Sequence, residues 1–177
     1  MDKNLYYLAI IPPEPHFSLI QKLKEEISNH YNTFKALKSP PHITLIPPFQ
    51  YPEKEEITLR KIIDEFNREI IPFEIELDGY SWFDHGVLFI KVLHHVHLFQ
   101  IRERLKVLLQ SLINENIHIH EPFKPHVTLA LKDWSKAIFE TAKTKFTNQN
   151  IRCRFTVHQI HILKHVQGKW IILDTIL

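Results

Sequence analysis

Residues 5–11, Leu-Tyr-Tyr-Leu-Ala-Ile-Ile, form an unbroken apolar run closed by Pro12-Pro13, the pattern of a buried strand. Residues 14–30 then place Phe17, Ile20, Leu23 and Ile27 at helical spacing, with Lys22, Lys24, Glu25 and Glu26 assigned to a solvated face. Residues 42–46 predict a short strand, bounded on both sides by proline pairs. A second helix is predicted over 53–67, carrying Ile57, Ile62, Ile63 and Phe66. Alternation over 72–82 and 86–93, interrupted by Asp84-His85-Gly86, reads as a hairpin. Residues 95–113 predict a long helix with Leu98, Ile101, Leu105, Leu108, Leu109 and Leu112 on one side. A loop from Asn114 to Lys124 leads to a strand over 126–131 and a helix over 134–146. A terminal hairpin of 151–163 and 169–176 turns at Gln167-Gly168. The order predicts an α+β fold of two lobes, each a sheet with packed helices. No linker separates them, so residues 1–177 are expected to form a single compact bilobed domain with a groove between the sheets.

One phrase occurs twice in this pattern. Pro41-His42-Ile43-Thr44-Leu45 and Pro125-His126-Val127-Thr128-Leu129 stand 84 residues apart, close to half the chain. On strands, alternation sends Ile43, Leu45, Val127 and Leu129 to the core and His42, Thr44, His126 and Thr128 to a cleft. Two imidazoles around one cavity supply a general acid and a general base, and two hydroxyls supply hydrogen bonds to a charged oxygen.

Composition narrows the chemistry. Hydrophobic residues make up 44% and charged residues 24%, as in an ordinary globular chain that needs no metal or disulfide staple. The single cysteine, Cys153, excludes an intramolecular disulfide framework and favours a reducing compartment. With only 3 glycines, no Gly-rich phosphate loop can be built, which removes P-loop hydrolases and dinucleotide-binding folds. A net charge of +2 neither demands nor excludes nucleic acid. The polar start and the short apolar run after it suit neither a signal peptide nor a membrane span, so a cytoplasmic, membrane-free protein is expected. No heptad repeat or exposed apolar face points to a protein partner, and a monomer is the default.

The 13 histidines raise a metal reading through His94, His95 and His97, His118 and His120, and His158, His161 and His165. No Cys or His-Glu-x-x-His pattern accompanies them, so no metal site is expected. His118 and His120 are candidates to line the groove or, more simply, to face water. Cys153, between Arg152 and Arg154, is read as an inward strand residue, not a nucleophile. Phe123 offers a face for stacking on a base, with loop packing as its alternative. Tyr6, Tyr7, Trp82 and Phe83 are assigned to core or hairpin packing.

The paired His-x-Thr phrases, the opening strand Tyr6-Tyr7-Leu8-Ala9-Ile10, the hairpin arm Gly86-Val87-Leu88-Phe89 and the closing strand pair resemble the 2H phosphoesterase superfamily. Within it the chain is most similar to the bacterial 2'-5' RNA ligase or RNA 2',3'-cyclic phosphodiesterase family. The resemblance implies two pseudo-symmetric antiparallel sheets lining a central cleft, with helices outside. It implies a phosphoesterase without metal or cofactor, acting on cyclic or 2'-linked phosphodiesters of RNA or nucleotides. It assigns His42 and His126 as the acid/base pair and Thr44 and Thr128 as phosphate-binding. Many family members carry an arginine shortly before a motif; here Lys38 and Lys124 hold comparable places, as point charges instead of bidentate forks. Lys38, Phe123 and Lys124 are therefore candidate substrate contacts. The competing expectation is a non-catalytic nucleotide- or RNA-binding module using the same cleft.

Overall fold

The computed structural model describes residues 2–84, 86–93, 95–113, 119 and 121–173. Along the chain run β1 (Lys3–Ile10), α1 (His16–Tyr31), a 3-10 turn (Lys35–Lys38), β2 (Ile43–Pro52), α2 (Glu56–Arg68), β3 (Phe73–Phe83), β4 (Val87–Val92), α3 (Val96–Leu112), β5 (His126–Leu131), α4 (Lys136–Thr147), β6 (Arg152–Val157), β7 (His161–Val166) and β8 (Lys169–Leu173). His85, His94, His118 and His120 lie outside the described residues, and the readings placed on them are not carried further.

The fold is α+β, as expected. The two expected sheets are the halves of one eight-stranded antiparallel sheet of order β6-β3-β4-β5-β2-β1-β7-β8. The halves meet at β2 and β5, where the register pairs Ile43 with Val127. Pairing is dense inside each half and sparse at this seam. Strand order is mirrored about the seam. β2 and β5 lie innermost, β1 and β4 next, then β7 and β3, with β8 and β6 at the edges.

The mirror extends to the irregularities. Leu8 pairs with Ile46 and Ala9 with Thr44, leaving Leu45 as an extra residue in β2. Leu88 pairs with Ala130 and Phe89 with Thr128, leaving Leu129 as the extra residue in β5. A bulge thus follows the threonine of each motif. Bulges bend a strand and re-aim the side chains beside them. Both bulge residues are buried, at 1% and 0% exposure.

Two sequence boundaries are corrected. The strand predicted over 42–46 continues through Pro47-Pro48 to Pro52. Tyr6 pairs with Phe49 and Leu8 with Ile46, so the two prolines stand opposite Tyr7 alone in a second irregularity, where the missing N–H groups break no regular ladder. The strand predicted over 151–163 is two strands. β6 pairs with β3 in one half, the chain crosses at 158–160, and β7 pairs with β1 in the other. The β7–β8 turn falls at Gln167-Gly168, both with positive φ (47° and 81°), as a two-residue hairpin requires.

All four helices contribute to one main core with the strand residues Tyr6, Leu8, Ile10, Ile43, Leu45, Val127 and Leu129. A small second cluster, Tyr7, Ala9 and Leu163, sits with Trp170 and Ile172 against it. Alternation along β1 thus separates Tyr6 from Tyr7. Tyr6 donates to Glu56 in the main core at 2.8 Å, and Tyr7 turns to the motif side. Asn32 closes α1 in the left-handed conformation at φ 54°. The Ser135 side chain caps the start of α4 by accepting from the Ile138 N–H at 3.2 Å. No helix among the described residues is long and apolar enough to cross a membrane.

Candidate active site

The seam pairing fixes the motif geometry. With Ile43 opposite Val127 in antiparallel register, His42 falls beside Thr128 and Thr44 beside His126. The four polar residues are half-buried, while Ile43, Val127 and Leu129 are fully buried, as alternation predicted. A cavity of about 480 Å³ opens here, lined in part by Tyr7, Lys24, His42, Thr44, Thr128 and Trp170. Two larger grooves, of about 680 and 590 Å³, follow α2 and α3, but neither contains a motif residue.

The two imidazoles are held alike. His42 Nδ1 lies 2.7 Å from the Pro40 carbonyl oxygen, and His126 Nδ1 lies 2.7 Å from the Lys124 carbonyl oxygen. A carbonyl only accepts, so each Nδ1 carries a proton and each Nε2 is left as the atom that gains or loses one. In both cases the acceptor is two residues back, across Pro41 or Pro125. The proline in each motif thus belongs to the device that sets the tautomer.

Their surroundings differ. His42 packs against Tyr7 at 5.0 Å between ring centroids. His126 is enclosed by Phe83 at 5.1 Å and Phe89 at 5.0 Å. Burial lowers the His42 pKa to about 4. The Pro40 hydrogen bond opposes this, and the charges of Lys24 and His126 reinforce it. Burial also lowers the His126 pKa, against its hydrogen bond to Lys124.

The cavity wall carries cations. Lys24, Lys35 and Lys38 line it, and no carboxylate is among its described lining residues. With a chain charge of only +2, this is a local concentration of positive potential that suits an anionic ligand.

The remaining sequence candidates divide. Lys38 is exposed and borders the cavity. Lys124 contributes its backbone carbonyl to His126, while its exposed side chain is not among the lining residues. Phe123 packs against Phe99 at 5.2 Å and under the Arg102 guanidinium at 4.3 Å, turned into the core beside α3. His95 and His97 pack against Phe73, and no group of three or more His, Cys, Asp or Glu converges as a metal site among the described residues. Cys153 is half-buried, and burial raises its pKa, which disfavours the thiolate.

Several residues around the cavity and the motif histidines escaped the sequence reading. Lys24, assigned above to a solvated face, is 1% exposed. The signal was present: it follows Ile20 by four and precedes Ile27 by three, on the apolar stripe. Tyr7 and Phe83, assigned to packing, pack on the two motif histidines themselves. Trp170 reaches the cavity from β8 and meets Tyr7 at 4.6 Å; no local pattern foretells a contact delivered by the crossover at 158–160.

Comparison with known proteins agrees with this architecture. The family model of the 2'-5' RNA ligase superfamily matches residues 12–169. The relative named "Putative phosphoesterase GK0864" from Geobacillus kaustophilus is 24% identical over 176 residues, covering 96% of this chain and 94% of that protein. Its counterpart BH1439 from Halalkalibacterium halodurans is 25% identical over 173 residues, covering 96% and 95%. Among solved structures, TT0787 of Thermus thermophilus superposes with a TM-score of 0.65 at 18% identity, covering 96% of this chain and 95% of that one. LigT of E. coli complexed with 3'-AMP gives 0.64 at 18%, covering 98% and 97%. The chain belongs to the 2'-5' RNA ligase superfamily, the 2H phosphoesterases.

Proposed function

We propose that the protein is a metal-independent phosphoesterase that opens 2',3'-cyclic phosphates, or cleaves or joins 2'-5' phosphodiesters, of RNA or nucleotides. It works as one bilobed unit with a His-x-Thr motif in each lobe. The carrying observation is the matched pair of Nδ1 hydrogen bonds, both 2.7 Å, which leaves two equivalent Nε2 atoms to exchange protons. In hydrolysis of a cyclic phosphate, one Nε2 takes a proton from water as its oxygen bonds to phosphorus. The other gives a proton to the ribose oxygen as its bond to phosphorus breaks. Thr44 and Thr128 donate to the non-bridging oxygens, where negative charge gathers. Ligation follows the same path with the 5'-hydroxyl of a second nucleotide in place of water: its oxygen bonds to phosphorus as the bond to one ribose oxygen breaks and that oxygen takes the proton, and 2'-5' cleavage is this path reversed. The complex of E. coli LigT with 3'-AMP supports a nucleotide ligand for this cavity.

The test is product analysis with nucleoside 2',3'-cyclic phosphates in EDTA. Metal-free opening to a single monophosphate regioisomer is expected. Thr44→Val and Thr128→Val are each expected to lower kcat by about 10- to 100-fold with smaller changes in KM, as loss of a donor to the charged transition state requires. Saturable binding of cyclic phosphates and of 2'-5'-linked dinucleotides without any turnover would instead identify a binding module.

The lowered histidine pKa values predict the pH profile. Catalysis needs one imidazole neutral and one protonated. In the free enzyme both protons are lost below the ordinary 6.5, with His42 near 4. The kcat/KM optimum is therefore expected below the ordinary histidine value of about 6.5, falling as pH rises and the acid form disappears. A bound phosphate anion favours imidazolium, so the kcat profile should lie at higher pH than that of kcat/KM. A kcat/KM optimum above about pH 7.5, a full unit beyond the ordinary histidine value, would contradict this assignment.

A further inference from the structure

Lys24 stands at a core position of α1, between the buried Ile20 and Ile27, and is 1% exposed. Burying an ammonium is costly unless it is paired and hydrogen-bonded. Its Nζ donates to the Ser39 carbonyl at 2.5 Å, and its side chain lines the cavity with His42, Thr44 and Thr128. Ser39 is also the junction of a proton chain. Its Oγ lies 3.3 Å from His42 Nδ1 and 2.6 Å from Tyr7 Oη. The Nδ1 proton already points to Pro40, so Oγ meets Nδ1 as an acceptor, and between Oγ and Tyr7 Oη either hydroxyl can donate. Burial raises the Tyr7 pKa and keeps its hydroxyl protonated.

We propose that Lys24 is a positioning residue for His42: its buried ammonium pins Ser39, which braces His42 and Tyr7, and it sets a positive charge beneath the phosphate side of the cavity. The second lobe offers a contrast. Its buried helix cation, Arg102 of α3, is paired with Glu121 and Glu103 and lies over Phe123. The cavity side of α1 has no such carboxylate among the described lining residues. The two imidazoles, alike in tautomer, thus differ in field.

The other charged or titratable groups around His42 are Tyr7 from β1, Lys35 and Lys38 from the 3-10 turn, His126 from β5 and His165 from β7. Asp133, after β5, accepts from the Thr33 hydroxyl and from the Phe34 and Lys35 N–H groups at 2.7 Å, and anchors the turn. Glu25, on the same helix, is the nearby charge that favours the Lys24 ammonium. Burial outweighs it and lowers the Lys24 pKa to about 8, so the charge is present at neutral pH.

The kinetic arm of the test rests on His42 acting in proton transfer; the spectroscopic arm does not. Lys24→Met removes the charge while keeping an unbranched apolar stem, and Lys24→Arg keeps the charge. The His42 resonance, assigned by its absence in His42→Gln, is followed by NMR from about pH 3 to 8, a range that brackets the histidine titration. The Lys24→Met change is expected to move the His42 midpoint upward while burial still holds it below the ordinary value, and Lys24→Arg to leave it unmoved. Lys24→Met should retain or raise Tm, because a buried charge is gone. Its kcat/KM should fall about 10- to 100-fold, as for a misplaced catalytic group, with Lys24→Arg recovering most of the loss. An unmoved His42 midpoint in Lys24→Met would overturn the proposal. So would a Tm loss that Lys24→Arg fails to rescue, since either result makes Lys24 a packing residue. Absence of turnover in the unaltered protein would sink the proposed reaction and leave the titration result standing.

Discussion

Alanine at His42 or at His126 is expected to abolish nearly all turnover of a 2',3'-cyclic phosphate, each by roughly 10²–10⁴-fold in kcat/KM. The reason is the symmetry of the two rings. Each is held by one 2.7 Å bond from Nδ1 to a carbonyl two residues earlier, and the seam places one beside Thr128 and the other beside Thr44. Among the described lining groups, the hydroxyls of Thr44, Thr128 and Ser39 are poor acids and bases near neutrality, and Lys24 remains cationic there. The double variant should be little worse than either single one, because acid and base act in one step and losing either disables it. Circular dichroism and thermal unfolding serve as controls, and both variants should remain folded, since both rings are half-buried and neither belongs to the apolar core; His42 lines the cavity, and His126 stands across the seam beside Thr44 without lining it. Steady-state rates within about threefold of the unaltered protein in either variant, far short of the loss of an acid or base, would remove that histidine from the mechanism.

The two phrases at His42 and His126 were legible because the motif is local: five residues carry the histidine, its threonine, the alternating core residues and the proline that sets the carbonyl bond. The α+β order was legible for the same reason, since helical periodicity and strand alternation are local patterns. What failed was long-range. Residues 151–163 look like one strand because each piece alternates by itself; nothing local reports that Phe155 pairs with Ile75 while Leu163 pairs with Tyr7. Trp170 joins the cavity by that crossover. Pro47-Pro48 looked like a stop because proline breaks a regular ladder, but the strand absorbs both residues in an irregularity opposite Tyr7. Lys24 departs for a different reason: its charge suggests a solvated face, but its place on the stripe of Ile20 and Ile27 puts it inside.

The seam between the half-sheets sets the second large expectation. Ile43→Ala should cost about 3 kcal/mol of stability, within the range for emptying a buried aliphatic site, and lower Tm by roughly 6–12 °C for a chain of this size. Ile43 is 0% exposed, lies between His42 and Thr44, and pairs across the seam with Val127, itself 0% exposed. The described register between β2 and β5 is this single pair. Side-chain packing across this contact therefore carries much of the registration of one motif on the other. Activity should fall along with stability, even at temperatures where the variant is fully folded, because a shift at the seam moves His42 relative to Thr128 and Thr44 relative to His126. Ile43→Val, which removes one methylene, should cost only about 0.5–1.5 kcal/mol and leave the register intact. Chemical denaturation of the pair, read beside kcat well below the unfolding transition, separates the two effects. A loss below about 1 kcal/mol in Ile43→Ala with unchanged kcat, well under the cost of an emptied core site, would mean that the half-sheets are aligned by their helices, and that the strand seam merely follows.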